Sequence, residues 1–182
     1  MRTDVKGAVR GIRNIDRALF AAIFRVKWPL LTVLMRALTT AGTAGATWGF
    51  IAFGAFLATG LKPPQLLVPW LAIIISWLVA ERTKYFFNRV RPYVSDTAIA
   101  PLIKTPSSSS FPSGHSATAA AGSITLAALY PPFAPALLLA GFLTALSRVY
   151  LGVHYPVDVL AGVLIGTASA AGMLALAALA LA

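Results

Sequence analysis

The chain is predicted to be an all-α, polytopic membrane bundle of about five transmembrane helices, preceded by an interfacial amphipathic segment. Three observations carry this reading. Its 182 residues have a mean hydropathy of +0.80 with only 11% charged residues, far from a soluble globular composition. Five apolar stretches each approach the roughly 20 residues that a bilayer core requires. Breaks at Gly60, Lys62-Pro63-Pro64 and Pro131-Pro132 fall between those stretches, where turns belong. By length the chain is one domain, residues 1–182, divided into an interfacial segment at 1–42 and a transmembrane bundle at 43–182.

In residues 1–42, Ile15, Leu19, Ala22 and Ile23 recur at helical spacing, with Asn14 as an N-cap. Trp28-Pro29 breaks the pattern, and Leu30 to Leu38 forms a second short segment. A span here would bury Arg25, Lys27 and Arg36 in hydrocarbon, so the segment is expected to lie in the interface. It is basic but has no continuous apolar core followed by a small-residue cleavage site, which argues against a cleavable signal peptide. The five spans are placed at about 43–60, 66–88, 114–130, 133–151 and 156–181. One long connection, 92–112, is rich in Pro, Ser and Thr, and Ser107 to Ser110 reads as a flexible loop at a site mouth. In the last span Gly162 and Gly166 form a small-xxx-small pair, expected to pack within the bundle, with a dimer face as the alternative.

Composition narrows the chemistry. No cysteine is present, so disulfides and thiolate metal sites are excluded. The five carboxylates, Asp4, Asp16, Glu81, Asp96 and Asp158, form no evident pair, so neither a metal centre nor another cofactor is expected. A net charge of +10 would suggest nucleic acid in a soluble protein. Here the basic residues surround apolar spans, and the expected partners are membrane lipids and a phosphorylated lipid substrate, not nucleic acid.

Topology brings three polar clusters to one face. The loops after the second and fourth spans are separated by two spans and emerge on the same side. The first cluster runs from Lys84 to Pro92, and a separation of seven residues would put Lys84 and Arg91 on one helical face. The second is Pro112-Ser113-Gly114-His115. At a helix start its free N–H groups and the helix dipole favour an anion, and Gly114 lets backbone approach closely. The third runs from Ser147 to Asp158 and contains Arg148 and His154. Asp158 follows His154 by four residues across a helix start. A carboxylate there can hold one imidazole nitrogen and leave the other pointing into the site.

Lys-x6-Arg-Pro, Pro-Ser-Gly-His and Ser-Arg-x5-His-x3-Asp, in that order, resemble the three-part signature of the type 2 phosphatidic acid phosphatase (PAP2) family. The match covers Lys84 to Asp158 at every fixed position. The resemblance is to a short bacterial member, one lacking the first span of six-span relatives. It implies metal-independent phosphoryl transfer through a phosphohistidine on His154, with His115 as the acid and later the base. Spacing alone shows only that His154, not His115, has a nearby carboxylate. Lys84, Arg91, Ser113, Gly114 and Arg148 are expected to bind the phosphate, with Ser147 a further candidate.

The expected activity is therefore release of phosphate from a membrane lipid phosphomonoester or diphosphate. Candidates are phosphatidylglycerol phosphate, a polyprenyl diphosphate, phosphatidic acid and a polyprenyl-phosphate sugar phosphate. Transfer of the head group to another alcohol and a non-catalytic lipid or anion transporter are the competing readings. With five spans, fourteen of the fifteen Lys and Arg residues lie on the active-site side and Lys62 alone on the other, which favours a cytoplasmic active site.

Overall fold

The computed structural model describes residues 2–60 and 63–181, so Lys62 lies outside the described residues. Helices α1 (Arg2–Arg25), α2 (Pro29–Ala41) and α3 (Ala46–Ala58) are followed by α4 (Pro63–Lys84) and a short α5 (Pro92–Ser95). Then come α6 (Gly114–Leu129), α7 (Ala134–Tyr150) and α8 (Pro156–Leu181). Each of the five expected spans falls on a helix. Segments Pro63–Lys84, Pro131–Tyr150 and Pro156–Ala180 are long and apolar enough to cross a bilayer, and Thr43–Ala58 is a shorter apolar helix.

The core is built on α6, which packs against α4, α7 and α8. Its sequence explains that position. Ala117, Ala119, Ala120, Ala121, Gly122 and Ser123 are all buried and small, so neighbouring backbones come close on every side. The Gly162/Gly166 pair is an internal contact: a Cβ added at Gly166 would sit 2.2 Å from the Ala117 carbonyl oxygen. Trp48 of α3 lies over Gly122 and joins Ala72, Ile73 and Leu126 in the main apolar cluster.

The N-terminal helices close one end of this bundle. Between Arg10–Arg25 and α2 the axis bends by 117°, so the two do not form one straight span. Phe20 packs edge-on to Tyr155 at 5.4 Å between ring centroids, and Thr32 shares a 2.7 Å hydrogen bond with the Tyr150 hydroxyl.

Three local expectations are corrected. Asn14 does not cap a helix, because α1 runs through it from Arg2. The helix is fixed instead by a buried stripe of Asp16 and Phe20, with Ile23 and Phe24 packed alongside, while Ile15, Leu19 and Ala22 face outward. Lys84 and Arg91 do not share a helical face, since α4 ends at Lys84. The N–H groups of Tyr85, Phe86 and Phe87 bond back to the carbonyls three residues earlier, a tightened helix end. Arg91 is then extended ahead of Pro92. Nor is the serine run a free loop. Ser110 is fully buried, and the Ser108 and Ser109 carbonyls accept from Arg91, because buried guanidinium and carboxylate groups must find hydrogen-bond partners.

Candidate active site

The C-terminal ends of α4 and α7 meet the N-terminal ends of α6 and α8 at the end covered by α1. The Ser113 N–H donates to the Asp158 carbonyl at 3.0 Å, tying the starts of α6 and α8 together. His154 lies in the connection between α7 and α8. Its N–H and that of Val153 both donate to the Arg148 carbonyl at 3.2 Å. Gly152 makes the turn with φ +81°, where an added Cβ would lie 2.7 Å from the Phe24 ring.

Asp158 occupies the third position of α8 and is fully buried. Its Oδ2 accepts from the Tyr155 N–H at 2.9 Å, a reach back to the helix start, and from the Ser110 hydroxyl. Its Oδ1 accepts from Arg89 Nη1 at 2.6 Å. Oδ2 also faces His154 Nδ1 at 3.6 Å, longer than a hydrogen bond but close for a charge contact. The other ring nitrogen, Nε2, is 3.2 Å from Arg91 Nη1. A guanidinium only donates, so Nε2 is the acceptor and the ring proton is on Nδ1, facing Asp158. Burial pushes the imidazole down to about 4, with Asp158 opposing that shift and Arg148 and Arg91 adding to it. His154 is thus a neutral imidazole with its unprotonated nitrogen on the cationic side.

Arg91 is buried and held by the Ser108 carbonyl at 2.8 Å and the Val153 carbonyl at 2.9 Å. Burial lowers its pKa from the ordinary value, while Tyr93, Asp158 and Glu81 pull the other way. Arg148, also buried, donates Nη1 to Thr39 Oγ1 of α2, and its Nε has no protein partner among the described residues. Lys84 pairs with Glu81 beside the backbone of Gly114. His115 stands in the first turn of α6, directly after Gly114.

Ser113 caps α6. Its hydroxyl oxygen accepts from the Ser116 N–H at 3.4 Å and the Ser116 hydroxyl at 2.8 Å, which leaves its own proton available to an anion. The Ser147 hydroxyl donates to the Thr144 carbonyl at 2.6 Å inside α7. The fold therefore gathers His154, Asp158, Arg91, Arg148, Lys84, His115, Ser113 and Gly114 at one end of the bundle. Three cations, a capped helix start and a neutral imidazole suit an anionic tetrahedral group.

Sequence reasoning missed Asp16, Arg89, Ser110 and Thr39. The available signal was Asp16, a carboxylate in line with Phe20, Ile23 and Phe24 at helical spacing on a mostly basic helix.

Fold and site define the class, a membrane-embedded phosphatase. A family model described as the PAP2 superfamily matches residues 65–180, and the chain belongs to that superfamily. It is 37% identical over 127 residues to the decaprenylphosphoryl-5-phosphoribose phosphatase of Mycolicibacterium smegmatis, covering 70% of this chain and 68% of that relative. Two further curated relatives are matched over about half of their length, 48% and 47%. Among solved structures, the transmembrane PAP2-type phosphatidylglycerolphosphate phosphatase of Bacillus subtilis is similar with a TM-score of 0.75 at 26% identity. That likeness covers 91% of this chain and 86% of that one. Aquifex aeolicus LpxE gives 0.71 at 28% identity over 86% of this chain and 93% of that one.

Proposed function

We propose that the chain hydrolyses a phosphomonoester or diphosphate on a membrane lipid through a phosphohistidine at His154. The observation that carries this is the orientation of one imidazole: Nδ1 faces Asp158, and Nε2 faces the guanidinium of Arg91. An incoming phosphate takes the Arg91 donor from Nε2 and frees the lone pair. Nε2 then attacks phosphorus as the bond to the leaving oxygen breaks, and His115 gives its proton to that oxygen. The oxygen departs on a lipid alcohol from a phosphomonoester or on a lipid phosphate from a diphosphate. In the second half His115 accepts a proton from water, which attacks phosphorus, breaks the P–N bond and releases inorganic phosphate.

Lys84, Arg91 and Arg148 neutralise the phosphoryl oxygens, with Ser113 and the Gly114 N–H as further donors. Ser147 supports the helix turn that carries Arg148. An apolar groove of about 700 Å³ between α2, α3 and α7 supports a lipid substrate. It is lined by residues such as Leu34, Ile51 and Leu137 and reaches Thr144, one turn before Arg148. Among the candidate lipids, the M. smegmatis relative favours a polyprenyl-phosphate sugar phosphate.

The active site is assigned to the cytoplasmic face. The positive-inside rule supports this, as does the packing of the basic helix α1 at the active-site end, where Asp16 accepts from the Val157 N–H at 2.9 Å.

The test is a panel of lipid phosphates presented to the purified protein in detergent with EDTA. Phosphate release in EDTA, greatest with the polyprenyl-phosphate sugar phosphate and abolished by vanadate, is expected. Activity lost in EDTA and restored by magnesium contradicts the mechanism.

A further inference from the structure

Arg89 binds two carboxylates at once. Its Nη1 donates to Asp158 Oδ1 at 2.6 Å and its Nη2 to Asp16 Oδ2. Both carboxylates are buried, Asp16 at 1% exposure and Asp158 at 0%. The guanidinium lies over the Tyr155 ring at 4.6 Å, next to the histidine in sequence. The other oxygen of Asp16 accepts from the Val157 N–H at the start of α8. One planar cation therefore joins α1 to the carboxylate that faces the nucleophile. Asp16 stands before residue 65, outside the stretch matched by the family model.

Nη1 and Nη2 of Arg89 and both oxygens of Asp16 are engaged with protein groups. Arg89 donates to the oxygen of Asp158 that does not face His154, and among the described residues the hydrogen bonds of the Asp16 carboxylate are to Arg89 and the Val157 N–H. Ser110 and Tyr155 both donate to Oδ2 of Asp158, and among the described residues Arg89 is the donor to Oδ1. A fork-shaped cation held at its far side by a second fixed carboxylate sets the rotation of Asp158 about its side chain. That rotation decides whether Oδ2 faces Nδ1.

We propose that Asp16 and Arg89 are positioning residues for phosphoryl transfer, fixing Asp158 so that His154 presents its unprotonated Nε2. The proposal rests on the functional reading above. Helix α1 is then part of the catalytic apparatus and not only a membrane-surface anchor.

The experiment compares steady-state phosphate release by the intact protein with that of Asp16→Asn, Arg89→Gln and Arg89→Lys. Asp16→Asn keeps an acceptor for the Val157 N–H and removes the charge and the acceptor that face Arg89. Both Asp16→Asn and Arg89→Gln are expected to lower kcat on the order of tenfold to a hundredfold, as seen for groups that orient a reactive side chain. KM should stay within about twofold, because no substrate contact is lost. Arg89→Lys, a point charge able to serve one carboxylate, should recover part of the loss. In an Asp158→Asn background, Arg89→Gln should cost little more.

Should Arg89→Gln not fold, Asp16→Asn carries the test through imidazole nitrogen NMR. The chain has only two histidines, and a shift of His154 toward mixed tautomers is expected. Unchanged kcat and tautomer with only a lowered melting temperature, or an undiminished Arg89→Gln effect without Asp158, overturns the proposal. An intact protein that releases no phosphate from any lipid overturns the functional reading, and this proposal with it.

Discussion

His154 Nδ1 faces Asp158 Oδ2 at 3.6 Å across the start of α8. The spacing of four residues brings the two together because Tyr155 and Pro156 begin the helix between them, and Asp158 reaches back to the Tyr155 N–H. One carboxylate thereby caps a helix and fixes an imidazole. Arg91 stands at the opposite ring nitrogen, its Nη1 3.2 Å from Nε2.

Arg148 presents a fork to the site, with Nη1 on Thr39 and Nε without a protein partner. Lysine cannot serve both positions. Arg148→Lys is expected to lower kcat roughly a hundredfold to a thousandfold, the usual loss for one preorganised donor to transition-state charge. Steady-state kinetics with a soluble short-chain lipid phosphate checks this, and a loss smaller than about threefold would remove Arg148 from the phosphate site.

Glycine at position 166 is required by the approach of α8 to α6. Gly166→Ala puts a methyl 2.2 Å from the backbone oxygen of Ala117, so the helices must separate, at a cost of about 1–3 kcal/mol. Gly172→Ala is the control, because an added Cβ there meets nothing within 4 Å. Thermal unfolding in detergent should show a lower midpoint for the first variant and none of that loss for the second.

The acid limb of activity should lie well below the ordinary histidine range. Burial holds His154 at about 4 against an ordinary 6.5, and the neutral ring is the nucleophile. Activity is therefore kept as pH falls through 6.5 and lost as it falls through about 4. Stability follows the same sign, since the unfolded chain takes up this proton at 6.5 and the native one only near 4. A kcat/KM profile retaining its His154-dependent rate at pH 5.5 fits, whereas a fall centred near pH 6.5 contradicts it.

Sidedness has a direct readout, because the chain contains no cysteine. In intact cells an impermeant thiol reagent should label Lys62→Cys and spare Ser107→Cys, an exposed position on the active-site loop. Labelling at Ser107→Cys alone would put the site on the outer face.

The spans and their convergence were legible because hydropathy, proline punctuation and loop parity are local or additive properties. The small-residue spacing of Gly162 and Gly166 predicts an internal contact, and both glycines face the backbone of α6 and its N-cap. Local sequence did not show the end of α4 at Lys84, because a helix-compatible run to Arg91 is overridden by burial of the Arg91 guanidinium and the pairing of Arg89 with two carboxylates. Arg89 pairs with residues 73 and 69 positions away, and no periodicity links them. Ser110 looked like flexible-loop composition, yet a buried carboxylate needs donors, and a small hydroxyl on an irregular segment can reach it.

The central claim is a covalent intermediate on His154. Intact protein quenched during turnover of a lipid labelled with radioactive phosphorus should carry acid-labile, base-stable label on the peptide containing His154. The His154→Ala protein, folded in detergent, should carry none and release no phosphate. Near-normal phosphate release from His154→Ala would contradict the account.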